Sequence, residues 1–177
     1  MKYDPNKHHR RSIRLQGYDY SSAGAYFITI CTENRKCLFG NIINEKMILN
    51  NIGYIVVDSL LWLEKQYKYV KLDEMVVMPN HIHAILFMVD CRGGSQTAPT
   101  EKRKPLGRLI GAFKTVSTKR INEINKTSGI KLWQRNYYEH IIRNEIELKR
   151  IREYITNNPL KWEFDKENPV RITSDLP

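Results

Sequence analysis

The residues of this chain best suited to chemistry are two histidines separated by one apolar residue, His81 and His83, in the stretch Met78-Pro79-Asn80-His81-Ile82-His83-Ala84-Ile85-Leu86-Phe87. The run that starts at His81 reads as a β-strand, and strand side chains alternate between faces, so both imidazoles project the same way. With a rise of roughly 3.3 Å per residue, their Cβ atoms stand about 7 Å apart, which lets two ring nitrogens converge on one cation or one phosphate. The same pattern suits a polar strand face turned to solvent. A second element must contribute before the pair becomes a site.

That contribution is available in Arg152-Glu153-Tyr154-Ile155-Thr156-Asn157-Asn158. Tyr154 and Asn158 are one helical turn apart, so a phenol and an amide share a face. A tyrosine nucleophile needs an electrophile activated by a cation, because a pKa near 10 leaves little phenolate at neutral pH. An Asn158 carbonyl oxygen beside His81 and His83 would make a three-ligand metal site with open positions, with Tyr154 one turn away. The bland alternative is a half-buried Tyr154 packed with Ile151 and Ile155, and an Asn158 that only precedes a proline. Tyr137 and Tyr138 are competing nucleophiles. His140 next to Glu139 reads as a supporting polar residue, since consecutive strand residues face opposite ways. Trp133 and Tyr138 are aromatic candidates for stacking on bases, although tryptophan equally suits a core.

The elements that must position these groups come from a chain of 177 residues with 41% hydrophobic residues, which suits a single domain spanning 1–177. With 29 Lys+Arg against 19 Asp+Glu the net charge is +10 and the pI about 9.5, pointing to a polyanionic partner, nucleic acid first. No apolar run approaches the roughly 18 residues of a membrane span, and no apolar region follows the basic N-terminus as a signal peptide would require, so a cytoplasmic protein with no membrane partner is expected. Cys31, Cys37 and Cys91 lack Cys-x-x-Cys spacing and read as reduced thiols.

Residues 1–20 form a basic arm around Lys7-His8-His9-Arg10-Arg11-Ser12-Ile13-Arg14. Ala25 to Thr32 is the first long strand, and the stretch from Leu38 through Ile43 suggests a short hairpin excursion. Apolar residues at three- and four-residue spacing from Asn50 to Lys68 predict an amphipathic helix. Strands follow over Lys71–Met78 and His81–Val89, joined tightly at Pro79-Asn80. Residues 91–104 read as a mobile surface loop. Pro105 to Lys126 is a second helix with an apolar stripe through Leu109, Ile110, Phe113, Val116, Ile121 and Ile124. Leu132 to Arg143 is the last strand. Asn144 then caps a final helix that runs to Asn158 before Pro159, with Glu145 and Glu147 in its first turn, and residues 160–177 form a tail over the surface. This order predicts an α+β fold, a ferredoxin-like βαββαβ core with an antiparallel sheet and an added C-terminal helix carrying the nucleophile. Arg10, Arg11, Arg14, Arg108, Lys114, Lys119 and Arg120 are the DNA-phosphate candidates.

Three groups of residues carry a family resemblance: Met78-Pro79-Asn80-His81-Ile82-His83, Leu132-Trp133-Gln134 with Tyr138 to Arg143, and Tyr154-Ile155-Thr156-Asn157-Asn158-Pro159. Together they resemble the HUH single-tyrosine transposases. Arg11 to Leu15, with Tyr18-Asp19-Tyr20 and Gly24 to Phe27, is similar to the REP-associated tyrosine transposase branch. The resemblance implies binding of a single-stranded DNA hairpin and attack by Tyr154 on the scissile phosphorus. A 5′-phosphotyrosyl link and a free 3′-hydroxyl would result. It also implies Mg²⁺ or Mn²⁺ held by His81, His83 and Asn158. Two features depart from it. Insertion-sequence relatives carry Gln where this chain has Asn158, although the REP-associated branch is similar in using Asn, and two imidazoles with an amide suit zinc or manganese better than magnesium by softness. The alternatives are a non-catalytic hairpin-binding regulator that keeps the fold, and a metal-dependent nuclease that uses activated water. Monomer and homodimer both fit the sequence.

Overall fold

The computed structural model describes residues 15–90 and 103–170. Arg10, Arg11 and Arg14, with most of the basic arm, lie outside the described residues, as do 91–102 of the expected loop. Cys91 is there too.

Strands β1 (Gly24–Cys31), β4 (Val70–Val77), β5 (His81–Met88) and β6 (Tyr138–Ile142) form one antiparallel sheet in the order β4-β5-β1-β6. A separate hairpin, β2 (Gly40–Ile43) and β3 (Lys46–Leu49), lies between β1 and the first helix in the chain. Helices α1 (Asn51–Gln66), α2 (Leu106–Ile124) and α3 (Glu145–Thr156) complete the order. With the hairpin set aside, the chain reads βαββαβ with a third helix appended, the ferredoxin-like α+β arrangement.

Alternation along the strands explains the layering. Tyr26, Ile28 and Ile30 of β1 and Ile82, Ala84, Leu86 and Met88 of β5 face one way, into a large core with Val56, Leu60 and Leu63 of α1 and Leu109, Ile110 and Phe113 of α2. Ala25 and Phe27 of β1 and Ile85 of β5 face the other way, against Leu148 and Ile155 of α3. Thus α3 crosses the sheet on the side opposite α1 and α2, which is the face that His81 and His83 share. Asn144 caps α3 by accepting the Glu147 N–H at 2.9 Å, as its position in the sequence suggests.

Two contacts set the pose of α3. Arg152 donates two hydrogen bonds to Asp73, at 2.7 and 2.9 Å, where β4 bulges between Leu72 and Met75. His140 of β6 meets Glu147 at 2.7 Å, and that carboxylate also accepts the Arg143 N–H at 2.8 Å.

Two stretches differ from the sequence reading. The last strand occupies only Tyr138–Ile142 of the expected run from Leu132. Before it, Trp133 is buried between Phe39 and Phe113, both ring centroids 5.3 Å away, and donates its indole N–H to Ser117. The Lys114 ammonium donates to the carbonyls of Gln134, Arg135 and Asn136. Residues 132–134 still pair with the chain at the end of β1, through the Thr32–Trp133 bridge and the Gln134 N–H to the Cys31 carbonyl, but Lys114 holds the carbonyls of 134–136 and the continuous ladder resumes only at Tyr138. The segment after α3 also departs from a simple surface tail. Pro159–Phe164 is a 3₁₀ turn, and the residues beyond it fold back toward the histidines.

Candidate active site

His81 and His83 enter the α3 face from the start of β5 and are almost fully buried, at 0% and 1% exposure. Their inward nitrogens face each other, Nε2 to Nε2, at 3.1 Å. Each outward nitrogen has its own partner. His81 Nδ1 lies 2.8 Å from Asn80 Oδ1, and His83 Nδ1 lies 2.8 Å from Thr29 Oγ1, directly across the β1–β5 ladder. The orientation of Asn80 is decided by its amide nitrogen, which donates to the carbonyls of Arg35 and Glu167. Its Oδ1 must then accept, so His81 Nδ1 carries the proton and His81 Nε2 offers a lone pair to the interior.

Tyr154 comes from α3. Its hydroxyl is 3.2 Å from His83 Nε2, and the ring is 42% exposed. Phe27 forms the floor of the site, stacked on His83 at 5.4 Å and edge-on to Tyr154 at 6.0 Å. Asn158, one turn beyond Tyr154 and still at helical backbone angles, is 2% exposed. Its amide nitrogen donates to Asp165 at 3.1 Å, while its Oδ1 is buried without a hydrogen bond. The nucleophile candidate and both histidines meet within one chain.

Burial dominates the electrostatics. It pulls His81 down to about 4, against the opposing pull of Asp165 and Glu167. His83 is held well below the ordinary imidazole range by burial, with neighbouring His81 and Lys166 acting in the same direction. Both rings are neutral at pH 7 and available as donors of electron pairs. Burial, reinforced by Asp165, pushes the Tyr154 phenol up to about 12. A neutral phenol facing neutral imidazoles makes a poor nucleophile until positive charge is supplied.

A divalent cation fits these residues. Two ligands at right angles on an ion with ~2.1 Å bonds stand roughly 3.0 Å apart, close to the observed separation of the two Nε2 atoms. Hydrogen bonds at both Nδ1 atoms are the orienting contacts that metal-bound histidines keep. The Asn158 Oδ1 is buried without a hydrogen bond, and its side chain neighbours His81, so an oxygen donor is available next to the imidazoles. One nitrogen each of His81 and His83 and a carboxylate oxygen of Asp165 also lie within 4.8 Å of one another.

A family model described as "Transposase IS200 like" matches residues 20–158, most of the chain. The chain belongs to the IS200-like transposases. An uncharacterized protein of Haemophilus influenzae is 43% identical over 176 residues, covering 93% of this chain and 96% of its own length. Among solved structures, a REP-associated tyrosine transposase bound to a REP hairpin is 17% identical. It aligns with a TM-score of 0.59 over 89% of this chain and 77% of that chain, which is a likeness of fold. A putative transposase from Deinococcus radiodurans is 18% identical with a TM-score of 0.45, over 82% of this chain and 97% of that one.

In this IS200-like transposase, His81, His83, Tyr154 and Asn158 are brought together. Of the phosphate candidates, Arg108 is exposed on α2. Lys119 is exposed and pairs with Glu123 at 3.8 Å. Arg120 reaches Ser59 of α1 at 3.3 Å, in a groove between α1 and α2 on the far side of the sheet from the histidines. Lys114 is turned onto three carbonyls, which engages all of its N–H donors, and burial lowers its ammonium to about 8. Trp133 is core. Tyr138 is half exposed on the site face, edge-on to Phe27 at 6.2 Å. It stands opposite Thr29, two strands from His83, about 10 Å by strand spacing.

Sequence reasoning missed Thr29, Asn80 and Asp165. Thr29 is recoverable only from the strand register, and by sequence Asn80 reads as a turn residue. Asp165 follows Pro159, where helical periodicity no longer says which way a side chain points. The nearest signal was compositional: Trp162, Asp165 and Glu167 are unusual company for a tail with nothing to pack against.

Proposed function

We propose that this transposase cleaves and rejoins single-stranded DNA at repeat hairpins through a 5′-phosphotyrosine intermediate on Tyr154, with Mg²⁺ or Mn²⁺ as cofactor. The observation that carries this reading is the crossing of α3 over the His81/His83 face, with the Tyr154 hydroxyl 3.2 Å from His83 Nε2. The fold shared with a hairpin-bound REP-associated tyrosine transposase supports the choice of DNA partner. So does the net charge of +10. Genomic DNA as substrate puts the work in the cytoplasm.

His81, His83 and the Oδ1 of Asn158 would hold the ion. When bound, it polarises a phosphoryl oxygen and offsets charge on the attacking and leaving oxygens. Phe27 and α3 hold the Tyr154 ring so that its oxygen stays at the mouth of the site while the histidines stay inside. As the Tyr154 Oη–P bond forms, the P–O3′ bond breaks, and the phenol proton is balanced by protonation of the departing 3′-oxygen. The reverse reaction, with a 3′-hydroxyl attacking the phosphotyrosine, rejoins a strand and needs no nucleotide triphosphate.

The test uses a repeat hairpin with its flanking single strand, labelled at the 3′ end, incubated with Mn²⁺ and resolved under denaturing conditions. Wild-type protein is expected to give a covalent labelled adduct, and Tyr154→Phe none. Hairpin binding without an adduct under any metal would identify a regulatory binding protein instead. Protein-free product formed over many turnovers would identify a nuclease that uses water.

A further inference from the structure

The segment that follows α3 places a carboxylate where the histidines and Asn158 converge, and the span matched by the family model ends before it, at residue 158. Asp165 is half-buried, and its two oxygens are both held in place. One accepts the Glu167 N–H at 2.7 Å and the other accepts the Asn158 amide at 3.1 Å. Each carboxylate oxygen retains a further lone pair. The ligand-capable atoms of His81, His83 and Asp165 lie within 4.8 Å of one another, and Asn158, whose Oδ1 is buried without a hydrogen bond, donates its amide to Asp165 and neighbours His81.

The framework around Asp165 is built. Its backbone N–H closes the 3₁₀ turn on the Trp162 carbonyl, and the Asn168 side chain donates to that same carbonyl. Asn80, which orients His81, also donates to the carbonyl of Glu167 at 2.7 Å. One asparagine therefore ties the segment bearing Asp165 to the first histidine. The Trp162 ring lies 6.0 Å from His81 on the same side. The neighbouring carboxylate is committed elsewhere. Glu167 pairs with Arg35 at 3.0 Å and accepts the Cys31 thiol at 3.4 Å.

We propose that Asp165 is a ligand of the divalent ion, so that two imidazoles, the Asn158 carbonyl oxygen and one carboxylate from beyond the nucleophile's helix hold it together. This rests on the metal-dependent reading above. Two physical requirements favour the carboxylate. Three neutral donors leave both positive charges of the ion uncompensated in a buried site, and one carboxylate halves that excess. A second oxygen donor also moves the set away from the nitrogen-rich composition preferred by zinc and toward manganese or magnesium.

The experiment is a Mn²⁺ titration of the full chain without DNA, following free Mn²⁺ by electron paramagnetic resonance, for wild type, His83→Ala, Asp165→Asn and Glu167→Gln. Near-UV circular dichroism checks the fold of each. Asp165→Asn keeps the oxygen that accepts the Glu167 N–H. Ligation predicts one Mn²⁺ in wild type, its loss in His83→Ala, at least tenfold weaker binding in Asp165→Asn, and Glu167→Gln within about threefold of wild type. If Asp165→Asn binds as wild type does while His83→Ala does not, the Asp165 inference falls and the metal-dependent reading stands. Equal weakening by the Asp165 and Glu167 substitutions would reduce Asp165 to a distant charge and overturn its role as a ligand. Wild type that binds no Mn²⁺ overturns both.

Discussion

The two faces of the central sheet use the same strands for opposite purposes. On the α1/α2 face, alternate residues of β1 and β5 are apolar throughout and join a single large core. On the α3 face the apolar contacts shrink to a small cluster at one end. The other end holds Thr29, His81, His83 and Asn158, all buried. Buried polar groups cost stability unless each finds a partner. This face meets that demand through Asn80, Thr29 and Asp165, and leaves one oxygen, Asn158 Oδ1, without one. The first face holds the fold. The second uses the resulting rigidity to keep polar groups where they would not stay by themselves.

The comparison breaks most sharply at Tyr154. Tyr154→Phe is expected to lower adduct formation by at least about a thousandfold, roughly 4 kcal/mol in barrier, while hairpin affinity and thermal stability hold. Adduct assays and a melt on the same sample check it. The opposite pattern is expected from Phe113→Ala on the other face. Removing a fully buried ring that packs against Trp133 should cost about 3–5 kcal/mol in urea unfolding, with loss of activity only as the protein unfolds.

His83→Ala lies between these two. Adducts should disappear, while the urea midpoint should report a loss of about 2–3 kcal/mol, because the change removes hydrogen bonds to Thr29 and Tyr154 and the stacking of a buried ring on Phe27. A larger loss would mean that the polar face is also a folding element. Arg152→Ala releases the two-pronged hold on Asp73 and should slow adduct formation about tenfold without changing Mn²⁺ affinity. Equal rates would show that the His140–Glu147 contact and the packing of Leu148 and Ile155 suffice to position α3.

The smallest effect concerns charge. If Arg108 contacts phosphate, Arg108→Ala should lower the slope of log affinity against log salt by about 1, whereas Lys114→Gln should leave that slope unchanged because its ammonium is already engaged. A lowered slope in the Lys114 variant would return it to the phosphate contacts.

Local pattern was enough for most of this protein. Density of β-branched and aromatic residues marked β1, the Pro79-Asn80 turn separated β4 from β5, three- and four-residue spacing marked α1 and α2, and Asn144 marked the start of α3, the strands to within a residue or two. These signals are local because hydrogen-bonded ladders and helical turns are repetitive, so a few residues announce them. The shared face of His81 and His83, and that of Tyr154 and Asn158, followed from the same periodicities. Tertiary structure decided what no periodicity encodes. It placed α3 on the histidine face, fixed the His81 tautomer through Asn80, and interrupted the last strand between Trp133 and Tyr138, where the Trp133 ring and Lys114 find their partners. It also carried Asp165 back to the site after Pro159, where the chain has no repeating geometry and only long-range contacts determine where a side chain ends up.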